Sequence, residues 1–157
     1  MNLFAINLTI ALGWVAVAGT VDATNLLLGY VGGFAGLWAT RQLYGPNRYF
    51  ERTFAAIGLV LFFLYDLVRS SVGVIWDIIT PEMLARPRMI EVPLDAESDL
   101  AIMLTANLVS LTPGTLSIDV SPDRKRLLVH AMFADAPDEV VHDLKDGMER
   151  RILEALR

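Results

Sequence analysis

The chain has 157 residues, of which 54% are hydrophobic, a formal net charge of −5 and no cysteine. Soluble domains contain about 45–50% apolar residues, so the excess predicts contact with lipid or with partner proteins. The missing cysteines exclude disulfides, thiolate nucleophiles and cysteine-ligated metal centres, and the acidic balance argues against nucleic-acid binding.

The charge changes near residue 80. Residues 1–80 hold four basic and four acidic residues, whereas residues 81–157 hold nine and fourteen. The first part is therefore neutral and the second carries the whole net charge. This asymmetry predicts a membrane region over 1–80, a linker over 81–88 and a small α/β domain over 89–157.

Two uncharged apolar stretches form the centres of helices that we predict over about 3–20 and 25–44. A helix that spans a bilayer needs about 20 apolar residues, with roughly 17 as the lower limit, so both are short. Asp22 and Asn25 between them supply a polar turn, which favours a helical hairpin. A cleaved signal peptide is disfavoured because no basic residue precedes the first stretch and a second apolar stretch follows at once.

The second helix contains glycines at two overlapping four-residue spacings. They are Gly29, Gly32, Gly33 and Gly36. In lipid, helices associate through close backbone approach, which this spacing of small residues permits. The pattern predicts a packing face for another helix or subunit, although glycine is also generally common in membrane helices.

A third apolar stretch predicts a helix over 52–79 with a narrow polar edge that includes Asp66 and Arg69. Such a helix could span the bilayer or lie along its interface. Asp66 and Arg69 form the candidate intramembrane polar pair. A structural pairing is favoured over a proton relay, because one carboxylate neutralised by one guanidinium makes a poor chain for protons.

Arginines at 41, 48 and 52 flank the loop after the second helix. Cytoplasmic loops carry the excess of Lys and Arg, so this loop is predicted to lie inside. Two spanning helices and an interfacial third helix would then place the C-terminal domain in the cytoplasm. A spanning third helix would place it outside, and the first arrangement is preferred.

The predicted C-terminal domain has the order β-α-β-β-α. An edge strand begins it, because Ile90, Val92 and Leu94 alternate with other residues and Pro93 cannot donate to a ladder. The stretch from Leu127 to Phe133 is apolar on both faces and predicts a central strand.

Three further faces in this domain can be predicted. The helix from Ser98 to Leu111 is expected to be almost wholly buried, with one face made of Leu100, Met103, Leu104, Asn107, Leu108 and Leu111. The next strand is expected to point Leu116, Ile118 and Val120 inward. The last helix carries an apolar stripe made of Val141, Leu144, Met148, Ile152 and Ala155.

No constellation of catalytic residues is recognisable. His130 and His142 are the only histidines, neither has metal-ligand spacing to the other, and no glycine-rich loop follows a strand. We therefore predict no catalytic, cofactor-binding or metal-binding residue. The remaining candidate is a turn that either shapes the domain, which is favoured, or binds a ligand: Thr112, Pro113, Gly114 and Thr115.

Over nearly its whole length the chain resembles the E subunit of Mrp-type multi-subunit cation/proton antiporters. The resemblance is carried by the order of short apolar segments, the run 106–115 with its Leu-Thr-Pro-Gly-Thr core, and the strands around 117–121 and 128–131. It implies a bacterial plasma-membrane complex that exchanges internal sodium for external protons. The large subunits of that complex, related to proton-pumping subunits of respiratory complex I, would carry the ion paths.

Three functions therefore remain as hypotheses. The first is an accessory, non-catalytic subunit that supports assembly of such an antiporter, with other subunits and membrane lipid as partners. The second is a self-contained ion-conducting protein, which would need charged groups within its spans, and the two hairpin helices have none. The third is a stand-alone membrane-anchored module that binds a ligand or acts as an enzyme.

Overall fold

A computed structural model describes residues 2–45, 47–81 and 85–156. The chain forms two compact units, the first ending at Glu51 and the second beginning at Arg52. The sequence places this boundary near residue 80, after the third helix. The structure instead groups most of that helix with the C-terminal sheet.

Helix α1 of the first unit spans Leu3–Ala18 and is bounded by two caps. The Asn2 side chain accepts a hydrogen bond from the Ala5 N–H at 3.3 Å, which satisfies an otherwise unpaired donor. Gly19 ends the helix in the left-handed region with φ 73°, a conformation that costs glycine little. These caps make α1 two residues shorter than the predicted 3–20.

Helix α2 spans Ala23–Ala39 and begins at Asp22, whose Oδ1 accepts a hydrogen bond from the Asn25 N–H at 2.8 Å. This backbone hydrogen bond is the main cause that lowers the pKa of Asp22. A short 3-10 turn over Arg41–Leu43 replaces the end of the predicted helix over 25–44. The two antiparallel helices are joined by a short polar turn.

Helix α3 spans Tyr49–Ile79 and is 31 residues long, or about 46 Å at 1.5 Å per residue. It starts three residues before the predicted 52–79. Among the described residues it is the one helix that is long and apolar enough to cross a membrane.

The second unit also contains a three-stranded antiparallel sheet in the order β1-β3-β2. The strands are β1 (Arg88–Pro93), β2 (Thr115–Val120) and β3 (Arg126–Ala131). The prediction of a central strand is confirmed, because β3 pairs with both neighbours and its Leu127 and Val129 are buried. Strand β1 is an edge strand, as its proline predicts.

The predicted linker over 81–88 is partly outside the described residues, which resume at residue 85. The Arg86 N–H donates a hydrogen bond to the Met132 carbonyl at 2.9 Å, and Arg86 forms a bridge with Phe133. The end of this segment therefore continues the sheet.

Helix α4 spans Asp99–Leu111 and packs with a face that sequence analysis did not select. Its buried residues are Ala101, Ile102, Thr105 and Val109. Leu100, Met103 and Leu111 are at least half exposed, so the prediction of an almost wholly buried helix is wrong. Both faces are apolar, and only the fit against the sheet and the last helix selects between them. The small residues Ala101 and Thr105 allow that approach.

Strand β2 also departs from its predicted orientation. A bulge between Ser117 and Asp119 breaks the alternation, since these residues oppose consecutive residues of β3. Leu116 and Ile118 are therefore about half exposed rather than inward. Ser117 faces α4 instead, and its hydroxyl donates to the Ala106 carbonyl at 2.9 Å.

The C-terminal helix is continuous but changes its winding. It runs as α5 (Pro137–His142), a π-helical stretch (Asp143–Glu149) and α6 (Arg150–Leu156). Two members of its predicted stripe, Met148 and Ile152, are buried beside Ile102 of α4 and three partly buried residues of α3, which are Leu59, Phe62 and Phe63.

Candidate functional site

The seam between α1 and α2 is built from small residues. A Cβ atom at Gly29 would lie 2.9 Å from the Ala11 backbone, and one at Gly33 would collide with the Asn7 side chain. Buried residues recur every four positions on α1, which lets one stripe of α1 lie along these glycines. Gly29 and Gly33 therefore serve the fold of the hairpin itself.

A polar cluster lies on this seam. Asn7 is fully buried, and its Nδ2 donates to the Tyr49 hydroxyl at 2.8 Å. That hydroxyl is 3.1 Å from the hydroxyl of Tyr30. The three side chains connect α1, α2 and the first residue of α3. Within the described residues, Asn7 Oδ1 accepts no hydrogen bond.

Sequence analysis missed this cluster. The signal was present, because Asn7 is the one amide side chain in a largely apolar helix and a polar residue in such a helix needs a partner. The partner could not be found from sequence, since Tyr49 is 42 residues away.

Gly32 and Gly36 have no heavy atom within 4 Å of the Cβ position, apart from their own helix and neighbours. Gly32 lines, together with Gly29 and Gly33, an apolar groove of about 570 Å³ between α1 and α2. The other walls include Gly13 and Trp14 of α1 and Leu28 of α2. The four predicted glycines thus divide into two that close the hairpin and two that leave open surface.

Asp66 and Arg69 lie one turn apart on α3. In the part of the chain that the structure describes, they form no ion pair within 4.0 Å. Arg69 lines a surface cavity of about 520 Å³ together with four residues of the C-terminal helix: Asp138, Glu139, His142 and Asp143. The arginine therefore faces carboxylates of its own unit.

The turn from Thr112 to Thr115 is closed by its own hydroxyl groups. Thr112 Oγ1 donates to the Leu108 carbonyl at 3.0 Å, and Thr115 Oγ1 donates to the Val109 carbonyl at 2.7 Å. Gly114 has φ 92°, and its carbonyl accepts a hydrogen bond from the Met132 N–H at 2.7 Å. This geometry connects α4 to the sheet, and both hydroxyls donate to carbonyls of the last turn of α4. Pro113 lies between them.

A buried carboxylate is the second feature that sequence analysis missed. Glu149 is 2% exposed, and its Oε1 accepts hydrogen bonds from the backbone N–H groups of Asp95 and Ala96 at 2.7 and 2.9 Å. Lys145 Nζ lies 3.5 Å from Glu149 Oε2 and 2.9 Å from the Asp95 carboxylate, and it also donates to the Pro93 carbonyl. This Glu149 cluster fastens the loop after β1 to the C-terminal helix.

The histidines do not form a catalytic arrangement. His130 lies on β3 opposite Met89 and Leu116, and His142 is exposed beside Asp146 at 3.0 Å. Among the described residues, no group of His, Asp or Glu side chains is arranged to hold a metal ion. The features that stand out are surfaces and packing clusters.

Comparisons with known proteins identify the family. The family described as Na+/H+ ion antiporter subunit matches residues 7–155. The E subunit of the Na+/H+ antiporter of Alkalihalophilus pseudofirmus is 35% identical over 152 residues, which cover 97% of this chain and 96% of the relative. The corresponding protein of Bacillus subtilis is 27% identical with the same coverage.

Two solved membrane complexes contain similar chains. A chain of the Mrp complex from Dietzia is 26% identical, with a TM-score of 0.51 over 65% of this chain and 96% of that one. A chain of the membrane-bound sulfane sulfur reductase, an archaeal respiratory membrane complex, has a TM-score of 0.56 over 96% of both chains. Its 17% identity indicates a shared fold alone. The chain therefore belongs to the Na+/H+ ion antiporter subunit family, among whose members are E subunits of bacterial antiporters.

Proposed function

We propose that this chain is the E subunit of an Mrp-type antiporter in a bacterial plasma membrane. Its role there is accessory and non-catalytic: it supports assembly and stability of a complex that exports sodium in exchange for protons. The proposal draws on family membership and on the complex in which the Dietzia chain is found. Sodium and protons are handled by the complex rather than by this chain.

The observation that carries the proposal is the open side of the hairpin. The Cβ positions of Gly29 and Gly33 are blocked by α1, whereas the Cβ position of Gly32 is open. Gly32 borders an apolar groove that Gly13 borders from the other helix. A groove flanked by glycines admits a close approach of another helix, which is how helices associate in lipid. We assign this groove, with Gly36 beyond it, to a transmembrane helix of a partner subunit.

The second unit offers further partner surface. Exposed apolar side chains lie on the outer side of α4 and on the edge strands: Leu100, Met103, Leu111, Met89, Leu116 and Ile118. Large apolar patches on a water-facing domain mark contact sites. These residues support contacts of the domain with other subunits.

The proposed topology has the α1–α2 hairpin across the membrane and the β-α-β-β-α domain in the cytoplasm. Its support is the arginine-rich loop after α2, which the positive-inside rule places in the cytoplasm. The hairpin then has both ends inside. Helix α3 connects it to the domain on the same side.

The absence of Asp, Glu, Lys, Arg and His side chains from α1 and α2 supports the accessory role. Ion paths through membranes use charged or protonatable residues at depth. We therefore propose that Asp66 and Arg69 act in structure, and that the turn over Thr112–Thr115 shapes the domain rather than binding a ligand.

The assembly role can be tested with Gly32→Leu. The Cβ atom of a leucine at this position meets no neighbouring atom and its side chain extends into the groove, so the chain should still insert into the membrane. Complex recovered through a C-terminal tag on the chain, quantified by mass spectrometry of the co-purified subunits, should fall at least fivefold.

The matched control is Val31→Phe, which adds bulk to the same helix outside the groove and should leave recovery unchanged. Full recovery with leucine at position 32 would remove the groove from the interface. A monodisperse wild-type chain that purifies without any antiporter subunit would instead favour the alternative, a stand-alone ligand-binding or enzymatic module.

The non-catalytic role is tested by Asp66→Asn. Any loss of sodium/proton exchange in membrane vesicles should match the loss of assembled complex. A normal yield of complex with abolished exchange would place Asp66 in an ion path and refute the accessory role.

A further inference from the structure

Helix α3 has two different faces. One face is half-buried at helical spacing, through Leu59, Phe62, Phe63, Asp66, Ser70 and Asp77. The opposite face is a continuous exposed stripe of Ile57, Leu61, Leu64, Val68, Val72 and Ile75. The stripe repeats at intervals of three and four residues, so it stays on one side of the helix for five turns.

The half-buried face is occupied by the C-terminal helix of the same unit. Phe62 packs beside Gly147, where an added Cβ would lie 3.1 Å from the ring. The Arg151 guanidinium lies over the same ring at 3.8 Å and donates to the Gly147 carbonyl at 2.7 Å. Near the end of α3, Asp77 Oδ1 accepts a hydrogen bond from the Ala85 N–H at the entrance to the sheet.

The charged groups beside the half-buried face of α3 require contact with water. Arg69 shares its cavity with the carboxylates of Asp138, Glu139 and Asp143. The side chains of Asp143 and Asp146 are more than half exposed. If α3 crossed the bilayer, these charges and Arg151 would lie beside its middle, in hydrocarbon, where charged side chains are strongly disfavoured.

The aromatic residues of α3 point to the same arrangement. Tyr65 and Trp76 are both exposed and lie on one border of the apolar stripe, because eleven residues correspond to about three helical turns. Tyr and Trp prefer the level of the lipid headgroups. In a spanning helix these anchors belong at the two ends, whereas Tyr65 is near the middle of α3.

We infer that α3 lies in the plane of the cytoplasmic membrane surface, with its apolar stripe embedded at the boundary of headgroups and acyl chains and the C-terminal helix seated on its opposite face. Lipid covers the exposed apolar stripe. Because the helix is held at the membrane surface, the domain packed on it stays at a fixed distance from the bilayer. This inference goes beyond the accessory role and does not require the groove at Gly32 to bind a partner.

The test uses the natural absence of cysteine. Single replacements Ile57→Cys, Leu64→Cys and Ile75→Cys in the full chain each carry a nitroxide label on the exposed stripe. Their collision with oxygen and with a water-soluble nickel chelate gives the depth of each label, measured in vesicles of phosphatidylethanolamine and phosphatidylglycerol. Glu154→Cys, on the surface of the domain, is the water-exposed control.

An in-plane helix places all three labels at one depth, about 5–10 Å below the headgroup level. A spanning helix would separate the labels at 57 and 75 by about 27 Å along the membrane normal and put position 64 deep in hydrocarbon. That result would overturn the inference. Labels that neither reagent reaches, in the assembled complex, would assign the stripe to a protein partner and overturn it too.

The measurement on the chain alone separates this inference from the proposed function. If Gly32→Leu leaves assembly intact while the three depths agree, the groove assignment fails and the in-plane helix stands. If the depths disagree in a chain that assembles normally, only the in-plane helix fails.

Discussion

The hairpin and the sheet-containing unit place their apolar and polar groups in opposite ways. In the hairpin, large apolar residues such as Leu12 and Val31 are more than half exposed, while Asn7 is fully buried. In the second unit, Leu127, Val129 and Ile152 lie in apolar core clusters, and ion pairs such as Arg124–Asp99 and Arg126–Glu91 lie at the surface. The difference matches the solvent that we propose for each unit, lipid for the hairpin and water for much of the second.

The two units are consequently stabilised by different interactions. Little hydrophobic driving force remains between helices in lipid, so the hairpin depends on the close contact that Gly29 and Gly33 permit. The second unit gains from burying apolar area and depends on one buried carboxylate, Glu149, to hold a loop. A substitution in the glycine contact should therefore destabilise the hairpin, and a substitution of Glu149 should destabilise the second unit.

The largest effect is expected from Glu149→Ala. The substitution leaves the buried Ala96 N–H and the partly buried Asp95 N–H without their acceptor and removes one of the two carboxylates beside Lys145, and breaking a buried ionic contact costs about 3–5 kcal/mol. Denaturant unfolding of the purified full chain in detergent, followed by circular dichroism, should show the second unit unfolding first. Glu154→Ala, on the exposed side of α6, should change stability by less than about 0.5 kcal/mol.

The hairpin is tested by Gly33→Ala. The added methyl group collides with the Asn7 side chain, and overpacking typically costs about 1–3 kcal/mol. Resistance of the hairpin to unfolding in sodium dodecyl sulfate should fall, with the second unit unaffected. Gly32→Ala adds the same methyl group into open space and should be neutral; equal losses for both would contradict the seam described above.

A smaller effect is expected at the start of α4. Ser98 Oγ accepts a hydrogen bond from the Ala101 N–H at 3.2 Å, and loss of such a cap costs about 1 kcal/mol. Ser98→Ala should lower the free energy of unfolding of the second unit by that amount, and Ser98→Asp should retain it. A stable alanine variant would mean that packing alone fixes this end of the helix.

The smallest effect concerns pH. Burial alone would lower the pKa of Lys145, but the hydrogen bond to Asp95 and the charge of Glu149 outweigh it and raise the pKa above the ordinary 10.5. The stabilisation from the charged lysine is therefore fully present below about pH 10.5 and is lost as the pH rises through the higher folded-state value.

The check is the stability difference between the native chain and Lys145→Gln, measured by denaturant unfolding from pH 8 to pH 11.5. The stability difference should be constant up to about pH 10 and should decrease above pH 10.5. Lys125→Gln, in the exposed turn before β3, serves as the comparison. A difference that is constant across the range would show that the lysine acts through its methylene chain.

Element positions were largely predictable, whereas their faces were not. The run from Leu127 to Phe133 is apolar on both sides, which already requires a strand covered by neighbours, and β3 is central. In α4 the same two-sided apolarity was uninformative, because it does not say which side meets the sheet. In β2 the alternation was misleading, since the bulge at Ser117 and Asp119 is set by pairing with β3.

In the candidate site, too, the residues could be located from the sequence, but the neighbours that they contact could not. The spacing of the glycines identified a packing helix, but only the structure separated Gly29 and Gly33, which meet α1, from Gly32 and Gly36, which do not. Glu149 could have been noticed, because it lies on the side of the helix that carries the buried Met148 and Ile152. Its partners, the backbone N–H groups after β1, are more than 50 residues away.

The sequence by itself determined that the first part of the chain is apolar and neutral, that an α/β domain follows, and which family the chain resembles. These properties depend on composition, short-range periodicity and local motifs. Tertiary structure alone decided which face of each element is buried, which polar groups meet, and that most of α3 belongs with the sheet. Those outcomes depend on contacts between residues far apart in sequence, which no local pattern encodes.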